Sequence, residues 1–341
     1  MNRVLVTGIS GFLGGHVALA LLRHGYAVRG SLRDLSGTDR VRATLATAGA
    51  DVSKLDFCAL DLLDDRGWTE AVAGCRFMQH IASPFVLTMP KQEEELIRPA
   101  VEGTHRAVRA GLEGGLERIV VTSSLAAIDG GHRSYENVLD TQTWTNIDGP
   151  FVTAYAKSKK LAECEAWATA RASGVPDRIA VIDPGTLLGP LLDNDPGTSA
   201  TIVQRLMSGE MPMIPDLVLP FVDVRDVADA HVEAMTAPHA AGHRHILSNP
   251  PESLIDIARM MREDLGEKAL RVPTWRLPSF MASILGLFDQ SLRDSRTYLG
   301  VRRRYDMSSG EKLLGRPLGS TRQALLATAH SLIERQLVAI D

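Results

Sequence analysis

Cysteine is scarce in this 341-residue chain. Cys58, Cys75 and Cys164 form an odd set with no CxxC spacing and no histidine pattern beside them. That excludes a disulfide framework and argues against a metal site, leaving buried thiols in a reducing compartment. An excess of one charge is missing too. The 37 basic residues against 41 acidic ones give a net charge of −4, with no electrostatic footprint for nucleic acid or an anionic membrane. The one basic cluster, Arg302-Arg303-Arg304, reads as a solvated or salt-bridged face. Long apolar runs are absent: the most apolar stretch, Phe280 to Phe288, is far short of the ~20 residues that span a bilayer. A strand pattern begins by residue 3, which leaves no room for a signal peptide. The expectation is a soluble, cytoplasmic protein, monomeric or homodimeric, that meets small molecules and neither nucleic acid nor membrane.

What is present is alternation. Strand-like runs at Val4–Thr7, Ala27–Leu32, Leu55–Leu60, Phe77–Ala82, Ile119–Thr122 and Ile179–Asp183 are separated by helical patterns at 12–24, 37–48, 65–73, 93–113 and 152–172. Strands alternating with long helices predict an α/β fold, a Rossmann-type doubly wound parallel sheet covered on both faces. Its ligand belongs beyond the carboxyl ends of the strands. From Pro184 to Pro220 six prolines break the pattern. A further strand and helix follow at 221–235, and His245–Leu247 reads as a short strand returning to the sheet. Helical segments at 252–265, 276–288 and 320–336 complete the chain. The expected division is a dinucleotide-binding domain of residues 1–185 plus 221–248, and a smaller, mostly helical substrate domain of 186–220 plus 249–341. The apolar helix 276–288 suits a pocket wall, a small-domain core or a dimer contact.

Gly8-Ile9-Ser10-Gly11-Phe12-Leu13-Gly14 lies between the first strand and the first helix. The spacing differs from the common dinucleotide fingerprint, but the physics is shared: a tight turn, close approach of a pyrophosphate, and a helix N-terminus with free N–H groups. At the end of the second strand, Ser31 stands where an NAD site usually has an acid. Arg33 follows two positions on, and Arg40 opens the next helix. A neutral serine beside guanidinium groups suits a 2′-phosphate, so the predicted cofactor is NADPH/NADP+. Asp34 offers Arg33 an alternative partner. Asp61-Leu62 suits the flank of an adenine, while Asp61 serves equally well to cap a helix near Asp64. Ala82-Ser83-Pro84 ends the fourth strand where a dinucleotide would cross the sheet.

Tyr155 and Lys159 stand four apart in a helical segment, so phenol and ammonium share one face with Cβ atoms roughly 5–6 Å apart. Thr122-Ser123-Ser124 ends the fifth strand and brings hydroxyls to the same rim. Reducing a carbonyl needs a hydride at carbon and a proton at oxygen. A nearby cation favours the ionised phenol, and a serine hydroxyl donates to the developing alkoxide.

On these motifs, with His80-Ile81-Ala82-Ser83-Pro84-Phe85 and Asp183-Pro184-Gly185, the chain resembles the extended short-chain dehydrogenase/reductases over nearly its whole length. Within them it looks like the group of dihydroflavonol reductases, cinnamoyl-CoA reductases and yeast-type aldehyde/ketone reductases. The resemblance implies that Tyr155 donates the proton, Lys159 holds the nicotinamide ribose, and Ser124, as the last of its run, orients the carbonyl. It implies that Arg33 and Arg40 meet the 2′-phosphate. Further cofactor contacts then fall on Ser10, Phe12 and Leu13 of the turn, on Thr122 and Ser123, and on Pro184, Gly185 and Thr186. The expected substrate pocket is apolar, with Phe85, Leu87, Met89, Ile128, Trp144, Phe151, Leu187 and Leu188 as candidates. The expected activity is that of an NADP-dependent alcohol dehydrogenase or carbonyl reductase acting on a neutral aldehyde or ketone. Ser123-Ser124 replaces the Asp-Glu pair of the dehydratases, and Ser31 the acid of the NAD-type epimerases. A 3β-hydroxysteroid dehydrogenase is a credible cousin. A cofactor-sensing regulator without turnover would be expected to lack Tyr155 or Lys159.

Overall fold

The computed structural model describes residues 2–84, 92–278 and 295–339. Five strands, β1 (Arg3–Thr7), β2 (Ala27–Leu32), β3 (Leu55–Ala59), β4 (Phe77–His80) and β5 (Arg118–Thr122), join Ile179–Pro184 and Arg244–Leu247 in one sheet. Its order is β3-β2-β1-β4-β5, then Ile179–Pro184, then Arg244–Leu247 at the far edge, and every pairing is parallel. The chain winds outward from β1 through β2 and β3, then reverses from β4 onward. The strand order therefore switches between β1 and β4, where ligands lodge in such sheets.

The pleat explains the apolar runs. Val4 and Val6 enter one core with helices α1 (Phe12–Arg23) and α2 (Thr38–Thr47), while Leu5 enters the opposite one. That second core is covered by α3 (Trp68–Val72), α4 (Glu94–Glu113) and α5 (Ala154–Ala172). A strand buried on both faces carries no polar alternation.

A third core gathers Leu188, Ile214 and Phe221 with α6 (Gly197–Met207), α8 (Leu254–Leu265) and the final helix Thr321–Glu334. Helix α7 (Val224–Thr236) returns to the main sheet beside α1. Arg304–Tyr305 pairs with Val138–Leu139 in a separate two-stranded sheet, and Leu313 of helix Ser308–Leu314 enters the main core.

The differences from the expected elements have local causes. β4 stops at His80 because the Thr7 hydroxyl accepts the amides of Ile81 and Ala82, each at 3.1 Å, drawing the chain off the sheet. Helix α6 was concealed by prolines, yet Pro196 is its N-cap, a flank that proline tolerates. Where the helix 276–288 was expected to begin, Arg276–Leu277 is a short strand beside Ile214–Pro215; its remainder from 279 lies outside the described residues. Among the described residues no helix is long and apolar enough to cross a membrane.

Candidate cofactor and carbonyl site

The three glycines after β1 answer three different demands. Gly8 has φ +71°, a region L side chains rarely adopt, and a Cβ there would press on the Ala82 backbone at 3.0 Å. Gly14 lies in the first turn of α1, and its Cβ would run into the Gly8 carbonyl. Gly11 differs. Its φ of −82° and ψ of 166° suit any residue, and a Cβ would meet only the Gly8 oxygen at an ordinary 3.5 Å. Among the described residues nothing requires glycine at 11, and no side chain caps α1. The glycine keeps open an exposed helix N-terminus whose N–H groups suit a phosphate. The residues therefore fit a dinucleotide. Ser10 and Phe12 flank this opening half-buried, and Leu13 is buried in the core.

Ser31, 5% exposed, is the penultimate residue of β2. Arg33 beyond it is exposed and makes no hydrogen bond or ion pair among the described residues. Asp34, its alternative partner, instead accepts from the Ser36 amide at 2.9 Å and the Ser36 hydroxyl at 2.6 Å. Those two bonds hold its carboxyl below the usual range. Arg40 pairs with Asp193 at 3.0 Å. Asp61 accepts from the Leu63 amide at 2.8 Å and shapes a turn, since the helix near it starts only at Trp68. Leu62 packs on Gly103 of α4.

Three successive hydroxyls leave β5 in three directions. Thr122 reaches His231 of α7 at 3.1 Å. Ser123 is buried on the other face and donates to Glu163 of α5 at 2.6 Å. Ser124, half-buried, stays at the strand end, where its oxygen accepts the Ala126 amide at 3.1 Å. The pleat separates Thr122 from Ser123. Both were expected at the cofactor; the structure commits both hydroxyls to internal partners, and Ser124 is left at the rim.

Thr153 caps α5 by accepting the Ala156 amide at 3.1 Å, which starts the helix just before Tyr155. Lys159 is 8% exposed and its Nζ lies 5.8 Å from the centre of the half-buried Tyr155 ring. His80, at the end of β4, is pushed down to about 3 by burial and then by the charge of Lys159. Lys159 on α5 therefore lies close enough to the end of β4 for its charge to act on His80. Ala82, Ser83 and Pro84 follow in the chain, half-buried. Pro184 is buried, and the crossing at Gly185-Thr186 is pinned by the Thr186 amide to Pro220 O at 2.7 Å. A Cβ on Gly185 would meet that same carbonyl at 2.6 Å.

The expected pocket residues part company. Ile128 is fully buried with Leu125, Leu139, Ile246 and Tyr305, and Leu188 belongs to the third core. Leu187 packs partly on the main core. Trp144 lies under the Arg244 guanidinium at 3.9 Å. Ile128 and Leu188 are thus packed away from solvent, while Trp144 stays half-buried. Phe151, at φ +58° and 65% exposed, projects from the loop before α5. Phe85, Leu87 and Met89 lie outside the described residues.

Two buried charged groups went unnoticed in the sequence. Arg303, 3% exposed, stacks on Tyr135 and Tyr298 at 4.4 and 4.2 Å and faces Asp129 at 3.8 Å. Of the basic cluster, only Arg302 and Arg304 are exposed. Asp129 also accepts from Tyr298 and Tyr305. The other group joins Glu163, Asp183 and Arg244. Glu163 stands four residues after Lys159, a spacing that predicts a shared face; nothing in the sequence marks Asp129 or Arg303.

A sequence model of the NAD dependent epimerase/dehydratase family matches residues 4–248. The chain belongs to that family. Among relatives in it, cinnamoyl-CoA reductase 1 of Oryza sativa subsp. japonica is 35% identical over 263 residues, 76% of this chain and 75% of that one. Dihydroflavonol 4-reductase of Zea mays is 32% identical over 267 residues, 76% and 73% of the two chains. The fold of this epimerase/dehydratase family member is also that of yeast methylglyoxal/isovaleraldehyde reductase Gre2, solved with NADPH. That likeness covers 99% of this chain and 100% of the other, with a TM-score of 0.81 at 24% identity.

Proposed function

We propose that the chain is an NADPH-dependent carbonyl reductase, converting an apolar aldehyde or ketone to an alcohol and working reversibly. One arrangement supports the reading: Ser124 at the end of β5 opens the 125–127 turn that packs on α5, where Lys159 Nζ lies 5.8 Å from the Tyr155 ring, and α1 begins with an open N-terminus after β1. Reductases named for cinnamoyl-CoA and dihydroflavonol among the relatives support the reaction type, and the NADPH complex of the yeast reductase supports the cofactor. NADPH supplies the hydride when bound.

The chain's own groups supply the rest. The Gly8–Gly14 turn holds the pyrophosphate, and Arg33 meets the 2′-phosphate with Arg40 beside it. Ser124 donates to the substrate oxygen, opposing the charge that develops there. Tyr155 delivers the proton. The Lys159 ammonium beside its ring stabilises the negative charge left on the phenol oxygen and donates to the nicotinamide ribose. Arg244 and Arg303 are spent on Glu163 and Asp129, so neither is available to a substrate phosphate. That favours an apolar carbonyl over a sugar nucleotide or a CoA ester.

The test is NADPH oxidation across aryl aldehydes, aliphatic ketones, a diketone, a dihydroflavonol, a 3-ketosteroid and cinnamoyl-CoA, with UDP-glucose as the epimerase control. Turnover is expected with free apolar carbonyls. Turnover confined to the CoA ester overturns the substrate class, and no oxidation with any carbonyl overturns the reaction.

A further inference from the structure

Directly behind the catalytic serine run lies a wholly internal charge cluster. The side chains of Glu163 and Asp183 are fully buried, and that of Arg244 is 6% exposed. They come from three elements: α5, strand Ile179–Pro184 and strand Arg244–Leu247. Arg244 Nη2 donates to Glu163 at 3.1 Å, and its Nε stands 2.6 Å from the other oxygen of that carboxylate. Nη1 of Arg244 donates to the carbonyls of Thr141 and Thr143 at 3.0 and 2.8 Å, holding the loop after Ser124. Glu163 also accepts from Ser123 at 2.6 Å and from the Trp167 indole at 3.2 Å. Asp183 lies 3.5 Å from Arg244 Nε, yet among the described residues neither of its oxygens accepts a hydrogen bond.

Charge balance is the difficulty. Two carboxyls face one guanidinium, in a place where an uncompensated buried charge is costly. One proton resolves it: a neutral acid donates to its neighbour and leaves a single ion pair. We propose that Glu163, Asp183 and Arg244 are positioning residues for carbonyl reduction, with one proton shared by the two acids. Glu163 fixes Ser123 and so the register of Ser124. It also stands one helical turn, about 6 Å along the axis, beyond Lys159. This inference rests on the reductase reading for its kinetic part only.

The acid that bears the proton is Asp183, pushed well above the carboxylate range by burial and then by the charge of Glu163, with Arg244 offsetting only part of the effect. Its charged surroundings are Glu163 from α5 and Arg244 from the edge strand; the Ser123 hydroxyl approaches from β5. The Cys164 thiol, raised by burial, is the remaining titratable group beside Arg244. Losing the shared proton at high pH would leave an unbalanced negative charge behind Ser123 and Lys159.

The experiment compares the full chain with Asp183→Asn, Glu163→Gln and the double variant. It measures thermal unfolding across pH, NADPH affinity by fluorescence, and kcat across pH. Each single variant leaves one carboxylate for one guanidinium and should fold; the double variant leaves Arg244 unpaired and should lose far more stability than the two singles combined. Glu163→Gln should lower kcat by about 10²-fold through displaced catalytic groups, with NADPH affinity unchanged. Asp183→Asn, an isostere of the protonated acid, should carry activity about one pH unit or more further into the alkaline range. Additive stabilities, or a wild-type kcat and pH profile in Glu163→Gln, overturn the proposal. If wild type turns over no carbonyl, the reductase reading falls, while the stability cycle still decides the shared proton.

Discussion

At the scale of single residues, two neighbouring glycines separate folding from binding. Gly14 is required by the chain itself, because any Cβ meets the Gly8 carbonyl. Gly11 is required by nothing among the described residues. Gly14→Ala should therefore cost about 1–3 kcal/mol as overpacking. Gly11→Ala should unfold within about 1 kcal/mol of wild type while its methyl group obstructs the phosphate cradle. Thermal unfolding alongside NADPH titration reads both, and a Gly11→Ala protein that binds NADPH as wild type does would remove the cradle. Arg33→Ala tests the 2′-phosphate assignment: KM for NADPH should rise at least about tenfold while that for NADH stays put, a difference of about 1.4 kcal/mol. Unchanged preference would point to Arg40, released from Asp193. Tyr155→Phe should lower kcat by about 10²–10⁴-fold with the affinity for NADPH kept, whereas a cofactor sensor would be indifferent to it.

At the scale of elements, helix α5 carries Tyr155 and Lys159, and its start is set by one hydroxyl. Thr153→Ala removes the cap over the first turn, two residues before Tyr155, and should cost about 1 kcal/mol together with a measurable fall in kcat. Ser320→Ala makes the matched comparison. It breaks a capping box on the final helix at a similar cost, on an element that carries neither Ser124, Tyr155 nor Lys159, and should leave kcat alone. Equal effects on kcat would mean that loss of stability, and not loss of orientation, was being measured. Helix and strand existence was legible here because both periods were long and regular, from β1 to α5. Boundaries were less so. The end of β4 depends on the Thr7 hydroxyl, 74 residues before Ile81, and α6 starts at a proline that reads as a breaker.

At the scale of the whole molecule, the buried histidines make stability depend on pH. Burial pushes His16 down to about 4 and His231 to about 3, and burial with Lys159 holds His80 near 3. All three stay neutral in the folded chain, while in the unfolded chain they take up protons below about 6.5. Their contribution is thus present above pH 6.5 and lost as pH falls toward 4 and then 3. Each histidine contributes at most about 1.4 kcal/mol per pH unit to that slope. Chemical unfolding at pH 7, 6 and 5 should show a steep decline, made shallower by His231→Asn. A slope unaltered by that variant would assign the acid sensitivity to other groups. Asp183 acts in the opposite sense, as its raised carboxyl favours the fold below the ordinary carboxylate pKa and loses that advantage as pH climbs.

The sequence by itself determined the strands of the sheet and its glycine turn, because a strand covered on both faces must be apolar throughout and a tight turn must use glycine. It also placed Tyr155 and Lys159 on one face, since 3.6 residues per turn leaves no other arrangement. Which hydroxyl remains at the rim was a tertiary matter. Thr122, Ser123 and Ser124 are near-equivalents as letters, and only packing against α7 and α5 spends the first two on His231 and Glu163. The same holds for Trp144, Arg244 and Arg303, whose partners lie tens to hundreds of residues away. Burial at the Arg244 and Arg303 contacts, which no local pattern encodes, takes two charged side chains out of water.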